Sequence, residues 1–289
     1  MLRSIAIASL ATTVAMAQLV EKVIPSGISG GCSSFLTNLN TNTSFTTCFS
    51  ALSQATSDYT PGSAAATSPS AAKIGSTLSN LCSSSVATSC PESLIRSKLT
   101  DFYSSCTPEL TSNSNKDVIS IYDVLYALLP FRTASCAQDD SGNYCAMKSK
   151  LPSSGQTAAQ IQAALMSSSS SPNLNTFGTN NIPFLFLSPS LPSSDLCNVC
   201  TRNIMTAYLN FEAKVPYAPG LGNSLLLKGQ TDLYSSVVSN CGSTFLSGAG
   251  VQAAGGLSGG TLNNGAVSTV VMNQGFIAMA LGAFAVVAF

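Results

Sequence analysis

The residues best suited to chemistry in this sequence are ten cysteines, and no histidine accompanies them. An even number of cysteines in a secreted chain is typical of a disulfide framework, so we expect five structural disulfides. The full connectivity does not follow from the sequence, because ten cysteines can pair in many ways. The ten are Cys32, Cys48, Cys82, Cys90, Cys106, Cys136, Cys145, Cys197, Cys200 and Cys241.

The absence of histidine removes several kinds of active site. Ser-His-Asp and Cys-His catalysis both need an imidazole base, and zinc and haem sites commonly use imidazole ligands. Residues 27–31 match the G-x-S-x-G pattern of a nucleophile elbow, but no strand is predicted before them. We therefore do not expect Ser29 to be catalytic.

Cys197 and Cys200 form a C-x-x-C motif. A redox role would need a strand-to-helix context, and a zinc site would need further thiolates in a reducing compartment. We favour two structural disulfides that leave one helix face.

Carboxylates could supply metal ligands or an acid–base pair. The turn sequence around Asp139 and Asp140 lacks the alternating ligands of a calcium loop, so turn formation is the favoured interpretation. No pair stands out elsewhere, so a two-carboxylate hydrolase is the third of three functional hypotheses. The scattered carboxylates are Glu92, Asp101, Glu109, Asp117, Asp123, Asp195, Glu212 and Asp232.

Charged residues make up 8% of the chain and the formal net charge is zero. About 25% is usual in soluble proteins, and no basic patch is present to attract nucleic acid. Serine, threonine and asparagine supply the polarity, and the sequon at Asn42 predicts N-glycosylation there. We expect no cofactor and no catalytic, cofactor-binding or metal-binding residue.

Both ends of the sequence carry targeting patterns. Residues 1–17 combine an early arginine, a short apolar run and small residues before the expected cleavage after Ala17, as a signal peptide does. Residues 275–289 are apolar and follow a polar-leaning spacer and small residues, which predicts a glycosylphosphatidylinositol (GPI) signal. We expect attachment at Asn264, with Asn263 or a nearby glycine as alternatives. A tail anchor formed by residues 267–289 is the competing interpretation.

The sequence between these ends predicts one mainly α-helical, disulfide-stapled bundle. Apolar residues recur at helical spacing from Val118 to Leu129, with Asn115 or Asp117 as the expected cap and Pro130 as the expected end. The remaining expected segments are a flexible leader (18–31), a Cys-rich ectodomain (32–246), disordered Ser/Gly-rich inserts near 60–72 and 152–182, a Gly-rich stalk (247–264) and a removed propeptide (265–289).

Two pairings can be argued from local pattern. The turn between Cys136 and Cys145 predicts that these two cysteines pair with each other. Apolar helices before and after residues 216–220 predict a helical hairpin, so Cys241 should bond Cys197 or Cys200. The other member of that C-x-x-C motif should then reach back to the N-terminal helices.

Aromatic residues at helical spacing could line a lipid pocket, but they more commonly form core. They are Tyr122, Tyr126, Phe131, Tyr208, Phe211 and Tyr234.

Three segments carry a family resemblance: residues 104–110, the Cys136–Cys145 segment and residues 197–201. In these the chain resembles an uncharacterised family of fungal secreted proteins over roughly residues 32–246. The resemblance implies a Cys-rich helical domain, a Ser/Gly-rich stalk and often a GPI signal, but no activity. The segment from Cys197 to Cys241 is also distantly similar to saposin-like helical modules, which nominates lipid binding.

Together these features predict a GPI-anchored protein of the cell surface or cell wall, with a structural or interaction role and no catalysis. The expected partners are the membrane, through the GPI lipid, and wall polysaccharide or surface proteins. The alternative is a lipid- or sterol-binding helical module with a lipid ligand, and no nucleic acid partner is expected.

Overall fold

The structure is a computed structural model that describes residues 24–59, 70–148, 166–168 and 171–246. It is mainly helical, as predicted. The helices are α1 (Gly30–Thr41), α2 (Thr43–Ala55), α3 (Ala71–Leu81), α4 (Ser84–Ser89), α5 (Glu92–Leu110), α6 (Lys116–Ser135), α7 (Leu174–Thr179), α8 (Ser193–Leu196), α9 (Val199–Glu212) and α10 (Gln230–Cys241).

Short elements connect the helices. Strands β1 (Met166–Ser168) and β2 (Ser171–Pro172) pair antiparallel. Single 3₁₀ turns occupy Ser57–Tyr59, Cys145–Met147, Ile182–Phe184 and Leu221–Asn223. Among the described residues, no helix combines the length and apolar character that crossing a membrane requires.

Most helices begin at a serine or asparagine whose side-chain oxygen accepts a backbone N–H of the first turn. Such caps satisfy donors that the helix itself leaves unpaired. Asn115, one of the two caps that the sequence predicted, caps α6 in this way by accepting from the N–H groups of Asp117 and Val118. The other capping residues are Ser29, Asn42, Ser70, Ser83, Asn173 and Asn198.

Helix α6 is the centre of the bundle, with α5 and α9 packed against it. Its residues from Val118 to Phe131 are almost all buried, which is the pattern of a helix surrounded by protein. The prediction that Pro130 ends this helix is wrong, since α6 continues to Ser135. Burial of Phe131 and Ala134 beyond the proline outweighs the one backbone hydrogen bond that proline cannot donate.

All ten cysteines lie in the described residues and none is free, which confirms five disulfides. The predicted bond between Cys241 and the C-x-x-C motif forms at Cys197. The pairs are Cys32–Cys106, Cys48–Cys90, Cys82–Cys136, Cys145–Cys200 and Cys197–Cys241.

The predicted local pair of Cys136 with Cys145 is wrong. Cys136 follows α6 where that helix meets the end of α3, so it bonds Cys82 instead. The chain then turns through residues 138–144 and brings Cys145 to the first turn of α9, where it bonds Cys200. Cys200 therefore reaches back only as far as the segment after α6, and not to the N-terminal helices.

The C-terminal helices pack differently from the simple hairpin that the sequence predicted. Helix α9 lies along α6, whereas α10 packs on α8. Residues 182–187 are buried, and the 3₁₀ turn Ile182–Phe184 is followed by Leu185 and Phe186, which take positive φ values of 52° and 66°. Close packing also reaches Gly178, where a Cβ would lie 1.7 Å from the carbonyl oxygen of Leu225.

Candidate functional site

An open groove of about 430 Å³ runs between α1 and α5, and we call it the α1–α5 groove. One face of α1 lines it, with residues at i, i+3, i+4, i+7, i+8 and i+11 from Gly31 onwards. Three of these six residues are serine or asparagine, and the half-buried ring of Phe35 is the aromatic component of this wall. The residues lining the groove are Gly31, Ser34, Phe35, Asn38, Leu39, Asn42, Lys98, Asp101, Ser104 and Ser105.

The wall contributed by α5 carries one ion pair. Lys98 Nζ lies 3.2 Å from Asp101 Oδ2, and Asp101 is exposed. Behind the wall, the ring of Phe35 packs on Phe102 with 5.1 Å between the ring centroids. The groove therefore presents hydroxyl, amide and charged groups beside one aromatic face, which suits a polyhydroxylated ligand.

Asn42, the predicted glycosylation site, lines this groove. Its Oδ1 accepts the backbone N–H of Phe45 at 2.9 Å and caps α2. Within the sequon, Thr43 and Ser44 are exposed in the first turn of α2.

A second open groove of about 500 Å³ lies between α6 and α9, and we call it the α6–α9 groove. Its charged lining residue is Arg132, whose Nε and Nη2 donate to the carbonyl oxygens of Leu81 and Ser83 at 3.1 and 3.4 Å. Burial lowers the pKa of Arg132. The guanidinium therefore satisfies carbonyls at the end of α3, as a helix C-cap does.

Asp123 is a fully buried carboxylate in the middle of α6. Its Oδ1 accepts from the hydroxyls of Tyr217 at 2.5 Å and Ser224 at 2.6 Å. Its Oδ2 accepts from the backbone N–H of Leu225 at 2.7 Å, and that of Leu226 lies at 3.4 Å. Burial raises the pKa of Asp123, and these donors oppose the rise. Asp123 thus fastens the loop between α9 and α10 to the central helix.

Glu212, at the end of α9, is the second carboxyl with an unusual environment. Burial raises its pKa to about 7, and a 2.7 Å hydrogen bond from Gln230 Nε2 to its Oε2 only partly counteracts this. Its Oε1 and the Oε1 of Gln230 are both buried without a hydrogen-bond partner. A proton on Glu212 would therefore supply the donor that these two oxygens lack.

We expect the stability of the protein to fall as pH rises through the range in which Glu212 loses its proton. Between about pH 4.5 and 7 the native state holds this proton and the unfolded chain has released it, so the free energy of unfolding declines across that window. The total decline in the free energy of unfolding across this window is about 3 kcal/mol. Urea unfolding at several pH values should show this slope in the native chain.

The matched control is Glu212→Gln, which keeps the shape and removes the titration. Its unfolding free energy should vary less between about pH 5 and 8 than that of the native chain. Equal pH slopes in the two proteins would show that Glu212 is not protonated near neutrality.

Glu109 joins the start of α1 to the end of α5. It is 4% exposed, and its Oε1 accepts the backbone N–H of Ser29 at 2.6 Å. Burial would raise the pKa of Glu109, but the hydrogen bonds from Ser29 lower it on balance. The sulfurs of Cys32 and Cys106 lie close to this carboxylate. They are bonded to each other, however, and so offer no thiolate to a metal.

The residues with suspected chemistry from the sequence have structural roles. Ser29, in the elbow-like motif, caps α1 through its hydroxyl oxygen. Asp139 forms the predicted turn by accepting from the N–H groups of Ser141 and Asn143 at 2.9 Å each. Burial opposes ionisation of Asp139, yet hydrogen bonds led by the one from Lys148 lower its pKa to about 2. Asp139 is thus a turn-forming residue.

The aromatic residues at helical spacing, which we call the aromatic stripe, mostly belong to the hydrophobic core, and this is the interpretation that the sequence favoured. Tyr126 lies 5.1 Å from Phe211 and 5.0 Å from Tyr217 between ring centroids, and Tyr208 donates from its hydroxyl to the carbonyl of Pro183 at 2.5 Å. Tyr122 and Phe131 are also buried, whereas Tyr234 is 37% exposed and does not belong to this set. These rings fill space by contacting one another.

The structure does not bring the acidic residues together in either groove. Asp101 is the carboxylate of the α1–α5 groove, and neither Asp123 nor Glu212 lines the α1–α5 or the α6–α9 groove. Sequence reasoning named Asp123 and Glu212 only among scattered carboxylates. The signal that could have identified Asp123 is its position within the apolar run of α6.

Several predicted features lie outside the described residues. These are the signal peptide, the stalk, the GPI propeptide with Asn264, and most of the two inserts. Of the second insert, residues 166–168 and 171–182 are described, and instead of being wholly disordered they contain β1, β2 and α7.

Comparison with known proteins identifies a family but no function. No curated protein and no solved structure matches the chain. A family model, described as Domain of unknown function (DUF7729), matches residues 17–249. That match covers well over half of the 289 residues and contains both grooves and all ten cysteines. The chain therefore belongs to the DUF7729 family of domains of unknown function.

Proposed function

We propose that this protein is an extracellular, GPI-anchored ectodomain with a structural or binding role at the cell surface or wall. The observation that carries this proposal is the complete pairing of ten cysteines into five disulfides. Such bonds form and persist in oxidising compartments outside the reducing cytosol. A low content of charged residues with abundant hydroxyl and amide groups supports the same setting.

The targeting patterns at the two ends of the sequence indicate how the protein would be exported and attached to the membrane. A signal peptide over residues 1–17 would export the chain, and GPI attachment at Asn264 would replace residues 265–289 with a lipid. The Gly-rich residues 247–264 would then separate the helical domain from the membrane. The membrane, wall polysaccharide and other surface proteins are the partners of this arrangement.

A binding role is favoured over catalysis by where the carboxyl groups lie. Asp123 and Glu212, with raised pKa values, line neither groove, and Asp123 is occupied by donors from the loop between α9 and α10. The α1–α5 groove is open and carries polar side chains, which suits contact with an extended or branched polar ligand. The aromatic stripe gives no support to the lipid-binding alternative, because its buried members are core.

The test is expression of the full chain in a secretory host, followed by treatment of intact cells with a phosphatidylinositol-specific phospholipase C. The protein should be released, should contain no free thiol, and should begin at Gln18 and end at Asn264 by mass. Leu281→Arg interrupts the apolar tail and serves as control, because it should abolish phospholipase-sensitive display. An intracellular protein with free thiols, or a mature chain that keeps residues 265–289, would contradict the proposal.

A further inference from the structure

The α1–α5 groove coincides with the glycosylation sequon of the chain. Asn42 directly follows α1 and continues the same face of that helix, eleven residues after Gly31. The structure thus places the Asn42 side chain in the wall of a polar groove.

Asn42 can carry a sugar without losing its structural role. The cap of α2 uses Oδ1, which accepts from Phe45 N, whereas an N-linked glycan is attached to Nδ2. Exposed Thr43 and Ser44 leave the sequon accessible. Glycan and helix cap are therefore compatible on one side chain.

The groove has the chemistry that a sugar needs. Its serine and asparagine side chains can donate to and accept from sugar hydroxyls, and the Asp101 carboxylate can accept from them. The half-buried ring of Phe35 offers an apolar face to sugar C–H groups. Its volume of about 430 Å³ is within the usual range of small-molecule sites, about 300–1,000 Å³.

We propose that the first sugars of an N-glycan on Asn42 dock in the α1–α5 groove, against Phe35 and the polar side chains of α1 and α5. This rests on the proposed secretion, which exposes the chain to a lipid-linked oligosaccharide donor. Transfer forms a bond between Asn42 Nδ2 and C1 of the first sugar and breaks the bond from C1 to the donor pyrophosphate. The amide proton leaves with that pyrophosphate.

Because the glycan is covalently attached beside the groove, weak contacts are sufficient to hold it there. A glycan bound to Asn42 has an effective concentration in the millimolar range at a groove that its own attachment residue lines. A free saccharide would need that concentration in solution to compete. This favours the glycan of the chain itself over an external polysaccharide as the occupant.

The test compares hydrogen exchange of four proteins secreted with their disulfides intact. Ser44→Ala removes the glycan but keeps the Asn42 cap, and Ser44→Thr keeps both as a matched control. Phe35→Leu keeps the glycan and an apolar side chain but removes the ring. Amides of residues 30–41 and 98–105 should exchange about three- to tenfold more slowly in the native and Ser44→Thr proteins than in the other two. Peptides from α9 should exchange equally in all four.

Four outcomes decide the question. Slower exchange that depends on both the glycan and Phe35 supports docking. Equal exchange with and without the glycan overturns it, as does a secreted, fully disulfide-bonded protein without sugar on Asn42. Protection of the Ser44→Ala protein by added glucan or chitin oligosaccharides, without an effect of the native glycan, also overturns it and assigns the groove to wall carbohydrate. Failure of secretion or of disulfide formation would instead contradict the proposed function.

Discussion

Replacement of Asp123 by alanine should lower the free energy of unfolding by about 3–5 kcal/mol, because it leaves several buried donors without an acceptor. The hydroxyls of Tyr217 and Ser224 and the N–H of Leu225 all donate to this carboxylate. Each buried donor without a partner costs about 1–3 kcal/mol. Urea unfolding under non-reducing conditions measures the change.

The control is Asp117→Ala, in the first turn of the same helix. Asp117 is exposed, and its side chain interacts chiefly with the helix dipole, so the loss should be about 0.3–1 kcal/mol. Tyr217→Phe removes one donor from the Asp123 cluster and should give an intermediate value. If Asp123→Ala and Asp117→Ala cost the same, Asp123 does not hold the α9–α10 loop to α6.

Joint replacement of Cys145 and Cys200 by alanine should also cost about 4 kcal/mol, the loop-entropy estimate for a bond that spans 55 residues. The double variant should contain no free thiol, because its other eight cysteines stay paired. Unfolding curves and a thiol assay in denaturant measure both properties.

A second double variant separates this connectivity from local pairing. Cys136→Ala with Cys145→Ala breaks two different bonds in the structure and leaves Cys82 and Cys200 without their partners. It should release two titratable thiols, or force a non-native bond that a non-reducing digest reveals. An undisturbed protein without thiols would mean that Cys136 and Cys145 pair with each other after all.

The helical class and the five-disulfide count were predictable because they depend on local pattern and parity. Apolar spacing from Val118 to Leu129 identified the central helix, and Asn115 was one of the two residues predicted to cap it. The pairing was not predictable, because Cys82 and Cys136 meet only after α3 packs against the end of α6. That contact links residues 54 positions apart, and no local signal records it.

The candidate site was less visible still. Asn42 was identified from its sequon, but the groove beside it needs the packing of α1 against α5, which Cys32–Cys106 helps to fix. The prediction that Pro130 ends α6 was wrong because burial of the following turn stabilises the helix beyond the proline. The backbone of Leu185 and Phe186 shows the same conflict, since tertiary packing holds apolar residues at positive φ.

The positions of the five disulfides along the sequence determine how many covalent links still join the fragments after a protease cuts the chain. Residues 60–69 are enclosed by both Cys32–Cys106 and Cys48–Cys90, so one cut there leaves the two fragments doubly joined. Residues 149–165 are enclosed by Cys145–Cys200 alone among the five bonds. A cut in that stretch converts the protein into a two-chain form, and reduction of this one bond would remove its last covalent link.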